Sequence, residues 1–303
     1  MTFLLQMIVI LVLSYTAYKF FKSQRNLKNC LPNKVVLITG ASSGIGEALA
    51  HSFYVAGCRL ILTARRKDEL ERVRKDLLEI HSTKVTHPPV VITMDLTDIK
   101  SLKEKAEQAL NIHGQIDIVV NNGGIVYYGE VVNTKHEDVM KVMMTNYFGT
   151  VELTKAFLPS MIKRKKGRIV CISSVNGKIA TPYAAPYAAS KFALQAFCDS
   201  LRAEVYDDNI KVTIISPGYV ATPILRNGIT STGKIPEKRD PDISDGIRPD
   251  ELANGVLRAV LDDKKDVIIS QLYVEAAYWL SFLCPSLFHW IMTIRARTGQ
   301  DKP

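Results

Sequence analysis

A tyrosine and a lysine in this sequence are spaced so that they can do acid–base chemistry together. Tyr187 and Lys191 are four residues apart on a segment with a helical pattern, residues 187–206, so their side chains share one face. A free phenol has a pKa of about 10 and is a poor acid or base at neutral pH. A neighbouring ammonium stabilises the phenolate and lowers that pKa. We therefore predict that Tyr187 exchanges a proton with a substrate oxygen.

A glycine-rich turn is the second chemical feature. It reads Thr39-Gly-Ala-Ser-Ser-Gly-Ile-Gly46, after an apolar run over 34–39 and before a helical pattern over 46–56. Such glycines let backbone amides approach a pyrophosphate, and a helix N-terminus favours the negative charge. The turn also fits the G-x-S-x-G elbow of hydrolases, which needs an acid and then a histidine further along. Beyond His136 the sequence offers only His289, in an apolar stretch, so a dinucleotide site is favoured.

Two arginines indicate which dinucleotide is bound. The second predicted strand, 59–64, leads into Arg65 and Arg66 with no acid at its end; Asp68 and Glu69 come later, where they fit the first turn of a helix. In a dinucleotide-binding fold this position faces the adenosine ribose, where an acid accepts from the hydroxyls and an arginine binds a 2′-phosphate. We predict NADP(H), with Arg65 as the principal partner and Arg66 as the second. The alternative is that both are solvated surface arginines.

Strands and helices alternate along the chain that positions these groups. Strands are predicted over 34–39, 59–64, 90–95, 116–120, 168–172, 211–216 and 266–270, and helices over 46–56, 67–81, 99–113, 136–163, 187–206 and 249–261. The helix over 136–163 is expected to break near Gly149 or Pro159. This alternation predicts an α/β fold with a doubly wound parallel sheet, in a single catalytic domain over 31–271. The aperiodic stretch 222–249 within it is expected to be a substrate lid.

Five motifs in this order resemble the short-chain dehydrogenase/reductase family. They are the Thr39–Gly46 turn, Asn121-Asn-Gly-Gly124, Asn146, Ser173-Ser174 with Tyr187-Ala-Ala-Ser-Lys191, and Pro217-Gly218 with Thr222. The resemblance spans residues 34–270 and implies a Rossmann-like domain. It also implies an oxidoreductase that interconverts a ketone and a secondary alcohol by hydride transfer. Gly123 departs from the family's Asn-Asn-Ala-Gly; we expect a small entropic cost and intact backbone amides.

The resemblance also implies a role for each site residue. Tyr187 would be the general acid, Ser174 would hydrogen-bond the same substrate oxygen, and Asn146 would hold a relay water. The implied cofactor contacts are Gly40, Ser42, Ser43, Gly44, Ile45, Gly46, Arg65, Arg66, Asp95, Leu96, Asn122, Tyr187, Lys191, Pro217, Gly218 and Thr222. Within this set Asp95 and Leu96 would face the adenine, Asn122 and Lys191 the riboses, and the last three the nicotinamide amide. Local alternatives are an Asn146 that bonds within its helix and an Asp95 that caps a turn.

The N-terminal 30 residues are predicted to anchor the chain in a membrane. Residues 3–21 are apolar, and a helix over them would be roughly 28 Å long, about the thickness of the hydrocarbon core. A cleavable signal peptide is the alternative, but the segment lacks a basic N-terminal region. Lys19, Lys22, Arg25 and Lys28 follow or flank it without an acid, which predicts a cytosol-facing catalytic domain. We expect a single-pass protein of the endoplasmic reticulum membrane, or of the peroxisome.

The remaining charge needs no nucleic acid. The chain carries 39 Lys and Arg against 30 Asp and Glu, a net charge of +9, and the basic N-terminal segment accounts for four of these charges. The five cysteines are widely spaced without a C-x-x-C pair, which argues against a structural metal or a disulfide framework. The partners we expect are therefore a membrane and a small molecule.

The C-terminal extension, 272–303, is strongly apolar. Glu275 and Pro285 argue against a spanning helix. It is predicted to cover the substrate pocket or to form a homodimer contact, or else to dock on a membrane surface with Arg295 and Arg297 at the headgroups. Each of these suits a hydrophobic substrate: a lipid, steroid or retinoid ketone, or an acyl- or alkyl-dihydroxyacetone phosphate. The alternative function is a catalytically idle, membrane-bound nucleotide sensor or scaffold.

Overall fold

A parallel seven-stranded sheet forms the centre of the molecule. The computed structural model describes residues 27–28, 30–80, 87–222, 228–230 and 246–298. The strands are β1 Val35–Thr39, β2 Arg59–Ala64, β3 Val90–Thr93, β4 Ile118–Asn121, β5 Tyr127–Tyr128, β6 Gly167–Ile172, β7 Ile210–Pro217, β8 Ile229–Thr230 and β9 Asp266–Ile269. The main sheet has the order β3-β2-β1-β4-β6-β7-β9 with every pair parallel, which confirms the predicted doubly wound α/β fold.

Helices cover both faces of this sheet. They are α1 Gly44–Val55, α2 Lys67–Leu78, α3 Ile99–His113, α4 His136–Met143, α5 Gly149–Arg164, α6 Ala185–Glu204, α7 Pro249–Leu261, α8 Leu272–Leu283 and α9 Pro285–Arg297. Side chains of α1, α2 and α7 fill one apolar cluster with the sheet, and those of α3, α5 and α6 fill a second on its other face. Because both faces are buried, β1 reads as a continuous apolar run and does not alternate.

The order of the strands fixes where a ligand can bind. From β1 the chain builds β2 and β3 on one side and then returns to add β4, β6, β7 and β9 on the other. The connections after β1 and β4 therefore diverge and leave a crevice at the carboxyl edge of the sheet. The glycine-rich turn, the Asn-Asn-Gly-Gly segment and the Ser173-Ser174 pair all lie at this edge, directly after β1, β4 and β6.

The long predicted helix breaks at a wide turn. A π-helical turn over Met144–Phe148 separates α4 from α5, so the break precedes Gly149, whereas α5 continues through Pro159. Pro159 lies on an exposed surface, where water can satisfy the carbonyl that its missing N–H leaves without a partner. At Gly149 a Cβ atom would lie 2.1 Å from the carbonyl oxygen of Leu96, so only glycine allows α5 to pack this closely.

The sequence pattern did not predict two short strands, and two predicted segments lie wholly or partly outside the described residues. The two-residue strands β5 and β8 pair in a small separate sheet that is too short to give a periodic pattern. The expected anchor over 3–21 lies outside the described residues, as do residues 223–227 and 231–245 of the expected lid. Within the described ranges, no helix is long and apolar enough to cross a membrane.

Candidate active site

The glycine-rich turn is so tightly folded that side chains are excluded from it. Gly40 and Gly44 have φ angles of +66° and +58°, which glycine adopts without strain. A Cβ atom at Gly46 would lie 2.1 Å from the carbonyl oxygen of Gly40. The backbone therefore lines the cleft at the start of α1, as an anion site at a helix N-terminus requires.

A hydrogen-bonded clamp joins this turn to the end of β4. The Thr39 hydroxyl accepts hydrogen bonds from the backbone N–H groups of Asn122, at 2.9 Å, and Gly123, at 2.8 Å. The Asn122 amide donates to the carbonyl oxygen of Thr39 at 2.9 Å. Asn122, predicted to face a ribose, thus also holds the two loops of the crevice together. Thr39 was not singled out from the sequence, although its position as the last residue of a buried strand is a signal for such a role.

Leu96 explains the unusual glycine at position 123. A Cβ atom at Gly123 would lie 2.7 Å from Cδ1 of Leu96, so this side chain occupies the space that the family's alanine methyl would take. The sequence predicted only an entropic effect here. The structure shows in addition that the buried side chain of Leu96 fills the space left by the missing methyl group.

The main cleft contains most of the predicted cofactor residues. It has a volume of about 350 Å³ and is lined by Gly40, Ser42, Ser43, Gly44, Ile45, Gly46, Arg65, Arg66, Asn122, Tyr187, Lys191 and Thr222, among others. A smaller adjoining cavity of about 70 Å³ is lined by Asp95 and Leu96, again with Arg65. Pro217 and Gly218 line neither the main cleft nor this small cavity; they line another cavity, which also borders Tyr187.

Asp95 makes a local hydrogen bond besides lining the small cavity. Its Oδ1 accepts from the backbone N–H and from the hydroxyl of Thr97, both at 2.9 Å. The turn-capping alternative is thus observed for this oxygen, and it fixes the carboxylate at the edge of the cavity.

The two arginines lie at the same end of the cleft but differ in their contacts. Arg65 is exposed and lines both the main cleft and the small cavity. Arg66 donates to the hydroxyls of Ser42 and Ser43 at 3.2 and 3.0 Å, so it lies over the glycine-rich turn. Their positive charge is positioned to attract an anion at this end.

Tyr187 and Ser174 form the centre of the site. Burial raises the pKa of Tyr187 to about 12, and its hydrogen bond with Ser174 opposes this rise. The predicted lowering by Lys191 does not dominate. The ammonium of Lys191 lies 5.8 Å from the centre of the Tyr187 ring and donates to the carbonyl oxygen of Ile172 at 2.9 Å. Without a bound ligand, the phenol is therefore firmly protonated at neutral pH, which suits a proton donor.

Lys191 is itself buried, and burial weakens its hold on the proton. Desolvation lowers its pKa to about 8, so its ammonium is only moderately favoured at neutral pH. Gly124 faces it closely: a Cβ atom there would lie 3.6 Å from Nζ of Lys191 and 3.2 Å from Oδ1 of Asn146. The glycine thus lets the lysine and the asparagine approach the same point.

Asn146 is held by distant parts of the chain. Its Oδ1 accepts from the N–H of Ile125 at 2.9 Å, and its Nδ2 donates to the carbonyl of Ile125 at 2.9 Å and to the Ser190 hydroxyl at 3.0 Å. None of these partners belongs to its own helix, so the local alternative is wrong. The π turn brings Asn146 into the interior between β4 and α6, although its amide is fully occupied by protein partners.

A second, more apolar cavity lies on the other side of Tyr187. Its volume is about 230 Å³, and it shares Ile45, Ser173, Tyr187 and Thr222 with the main cleft. Its further lining includes Val126, Val175, Ile179, Val220, Val274, Ala277 and Met292. Ser174 also lines it, and Arg295 is the only charged side chain among the described residues that do. The C-terminal helices thus form part of this wall.

Two buried hydroxyls at the boundary have no protein partner. Within the described ranges, the Ser173 and Thr222 side-chain oxygens make no hydrogen bond, and both residues line the main cleft as well as the second cavity. Buried polar atoms are normally paired, so these hydroxyls are positioned to receive a polar ligand.

These features fit a bound dinucleotide and define the class of the protein. A glycine cradle at a helix N-terminus, unpaired hydroxyls along the cleft, and a Ser-Tyr-Lys group beside an apolar cavity are the parts of a nucleotide-dependent oxidoreductase.

Comparison with known proteins places the chain in a family. The model of the short chain dehydrogenase family matches residues 34–231. The chain belongs to the short-chain dehydrogenase family, whose members are NAD(P)-dependent oxidoreductases acting on CH–OH groups. It is 56% identical over 91% of its length to a dehydrogenase/reductase SDR family protein 7-like of Anopheles gambiae, covering 86% of that protein. It is 43% identical over 88% of its length to dehydrogenase/reductase SDR family member 7B of Bos taurus, covering 82% of it.

Solved structures agree with the fold. An alcohol dehydrogenase of the archaeon Thermococcus sibiricus, complexed with 5-hydroxy-NADP, matches with a TM-score of 0.67 and 26% identity, over 79% of this chain and 97% of that one. A metagenomic short-chain oxidoreductase in complex with NADP matches with a TM-score of 0.64 and 26% identity, over 80% of this chain and 97% of the other.

The low pKa of Lys191 predicts a pH-dependent stability. In the unfolded chain the lysine binds its proton up to about pH 10.4, but in the folded protein only up to about pH 8. Between these values the unfolded state binds more protons, so stability rises with pH. We expect the unfolding free energy of the wild type to rise relative to Lys191→Met, by at most about 1.4 kcal/mol per pH unit.

Urea denaturation between pH 7.5 and 9 measures this difference. The upper limit stays below the pKa of about 10 at which Tyr187 would ionise in the unfolded chain and oppose the trend. Lys163→Met, which removes an exposed lysine, controls for the loss of one charge. Parallel curves for the wild type and Lys191→Met would contradict the assignment.

Proposed function

We propose that the protein is an NADPH-dependent reductase of hydrophobic ketones, and that it also catalyses the reverse oxidation of the secondary alcohol. The observation that carries this is the position of Tyr187 and Ser173 on the wall shared by the polar cleft and the apolar cavity. A nucleotide in the first and an apolar ketone in the second would meet at the Tyr187 hydroxyl.

The proton chemistry follows from the site residues. The bound cofactor, when reduced, supplies the hydride that adds to the carbonyl carbon. Ser174 and Tyr187 donate hydrogen bonds to the carbonyl oxygen, and Tyr187 then transfers its proton to that oxygen as the alcohol forms. Burial favours the protonated phenol beforehand. In the oxidation direction the proton returns to the tyrosine.

Lys191 and Asn146 support this transfer. The phenolate left on Tyr187 lies near the Lys191 ammonium, which stabilises the negative charge in a site of low polarity. Lys191 also has a donor available for a ribose besides its bond to Ile172. We assign to Asn146 the positioning of a relay water through the backbone of its π turn, because its side-chain amide is already engaged.

The preference for NADP(H) rests on Arg65 and Arg66. Both line the adenosine end of the cleft, where a 2′-phosphate would pair with a guanidinium. Glu47 and Glu69 do not compete for this charge directly, since each is paired with Arg72. The two structural neighbours in complex with NADP or its 5-hydroxy derivative support the same choice.

The second cavity limits the class of substrate. Its apolar lining fits a hydrocarbon ketone, and Arg295 places one positive charge on its wall. An amphipathic ketone with an anionic group, such as an acyl- or alkyl-dihydroxyacetone phosphate, uses both features. A steroid or retinoid ketone uses only the apolar part.

We also propose that residues 1–30 hold the enzyme on a membrane of the endoplasmic reticulum, or of the peroxisome, with the catalytic domain in the cytosol. The apolar stretch over 3–21 and its basic flank support this.

The first prediction concerns Tyr187. Tyr187→Phe removes the proton donor but little volume, so turnover should fall by about 100-fold or more while NADPH binding persists. Stopped-flow oxidation of NADPH with a panel of lipid ketones measures turnover, and NADPH fluorescence measures binding of the cofactor. Tyr183→Phe is the matched control: its hydroxyl donates to the backbone of Ala296 at 3.0 Å and should be dispensable for turnover.

Two results would count against this mechanism. Unchanged turnover in Tyr187→Phe would refute the assigned proton donor. A wild type that binds NADPH but oxidises none across the panel would instead support the idle nucleotide sensor, although the intact Ser174, Tyr187 and Lys191 argue against it.

The second prediction concerns Arg65. Arg65→Ala removes a charged hydrogen-bond donor worth about 1.5–3 kcal/mol, so affinity for NADPH should fall roughly 10- to 100-fold. Affinity for NADH, which lacks the 2′-phosphate, should change little. Fluorescence titration with both cofactors measures this, and Arg74→Ala, outside the cleft and paired with Glu71, is the control. Equal affinity of the wild type for NADH and NADPH would refute the preference.

The third prediction concerns Arg295. Arg295→Gln should raise the KM for a ketone with a phosphate group by about 10-fold, since a charged hydrogen bond is lost. The KM for a neutral ketone with the same hydrocarbon chain should stay the same. Arg297→Gln alters an exposed arginine on the same helix and is the control. If both ketones respond alike to Arg295→Gln, the substrate carries no anion at this position.

A further inference from the structure

The two C-terminal helices expose many large apolar side chains. We call them the C-terminal apolar face: Leu272, Tyr273, Trp279, Phe282, Leu283, Leu287, Trp290, Ile291 and Ile294. Trp279 and Trp290 are each 60% exposed. Soluble proteins seldom leave this many large apolar side chains of two neighbouring helices exposed without a partner.

Helix α9 is apolar on two opposite faces. Leu287, Trp290, Ile291 and Ile294 follow the helical spacing i, i+3, i+4, i+7 and face outward. Phe288 on the other side is buried, and Met292 with Arg295 lines the second cavity. Because its inward face is already packed on the domain, the outward stripe needs a second apolar environment.

The composition of this surface favours a lipid bilayer over a protein partner. Tryptophan, tyrosine and phenylalanine are interspersed with aliphatic residues, and the exposed Arg297 ends α9. Within 272–298 the only acid is Glu275. Aromatic rings with nearby basic groups and few acids are typical of helices that lie in a membrane interface. Residues 3–21 are also long and apolar enough to keep the chain at a bilayer.

We propose that α8 and α9 lie on the surface of a bilayer with the C-terminal apolar face embedded in it. The opposite sides of the same helices line the second cavity through Val274, Ala277 and Met292. An apolar substrate would thus pass from the lipid between α8 and α9 to Tyr187 without crossing water. This route rests on the proposed function, whereas the docking itself does not depend on any activity.

The two tryptophans report on this contact directly, because they are the only ones in the chain. The full-length protein is bound to phosphatidylcholine vesicles, and flotation verifies that it is attached. The vesicles are then compared with ones whose acyl chains carry bromine, a short-range quencher of tryptophan. We expect brominated lipid to quench the emission. Trp279→Phe and Trp290→Phe, checked for folding by thermal denaturation, should each leave one quenched reporter.

A matched control moves the reporter to another surface. Tyr206 is 73% exposed, just after the end of α6 and outside the C-terminal apolar face. In a chain carrying Trp279→Phe, Trp290→Phe and Tyr206→Trp, the single tryptophan should escape quenching. Equal quenching at this position would show only random collision with lipid and would overturn the proposal.

Flotation without quenching would also overturn the proposal. If the chain floats with the vesicles but Trp279 and Trp290 are not quenched, the face is covered by something other than lipid. A second copy of the chain would then be its partner, and the bilayer proposal would be wrong. Because fluorescence needs no substrate, this failure is distinguishable from a loss of turnover, which would contradict the proposed function instead.

Discussion

The clamp between Thr39 and the Asn122-Gly123 backbone is the interaction on which the rest of the site depends. It joins the carboxyl ends of β1 and β4, the two strands between which a doubly wound sheet reverses its direction of construction. The same contact brings Asn122 against the glycine-rich turn, where a Cβ atom at Gly46 would lie 2.6 Å from the Asn122 amide nitrogen and 2.1 Å from the carbonyl oxygen of Gly40. The cleft opens where the two connections diverge, and the clamp fixes their starting points.

The second constraint is the position of Tyr187, a single side chain that borders two different environments. Tyr187 lies on the wall between a polar cleft and an apolar cavity. Its burial raises the phenol pKa, while burial of Lys191 lowers the ammonium pKa. In the protein alone, both shifts favour the neutral forms, as expected when charge is removed from water. The acidity of the Tyr187 phenol is therefore set by the groups around its oxygen, and a ligand bound beside it would change that acidity.

Much of the fold could be predicted from the sequence because its elements are long and their patterns are strong. The strand 59–64 and the helices 99–113 and 249–261 have the predicted bounds, and the other main-sheet strands differ by one or two residues. The features that were missed depend on contacts between residues distant in the sequence. The π turn at Met144–Phe148 depends on Asn146 binding Ile125, and the strands β5 and β8 depend on pairing across some hundred residues. Neither contact leaves a periodic signal in the chain.

Some properties of the candidate site likewise follow from the sequence, and others follow only from the tertiary structure. The sequence by itself determined which residues are chemically able to act: the glycine turn, the arginines after β2, and the Ser174, Tyr187 and Lys191 set. Residue type and spacing suffice there, because the strand ends of a parallel sheet meet at one edge. Only the tertiary structure decided that Pro217 and Gly218 face the second cavity, that Leu96 replaces a methyl group at Gly123, and that Arg295 enters the cavity wall. The tertiary structure also decided the direction of the Tyr187 pKa shift. Desolvation depends on the atoms that surround the phenol in the folded protein, and not on the residues next to it in the sequence.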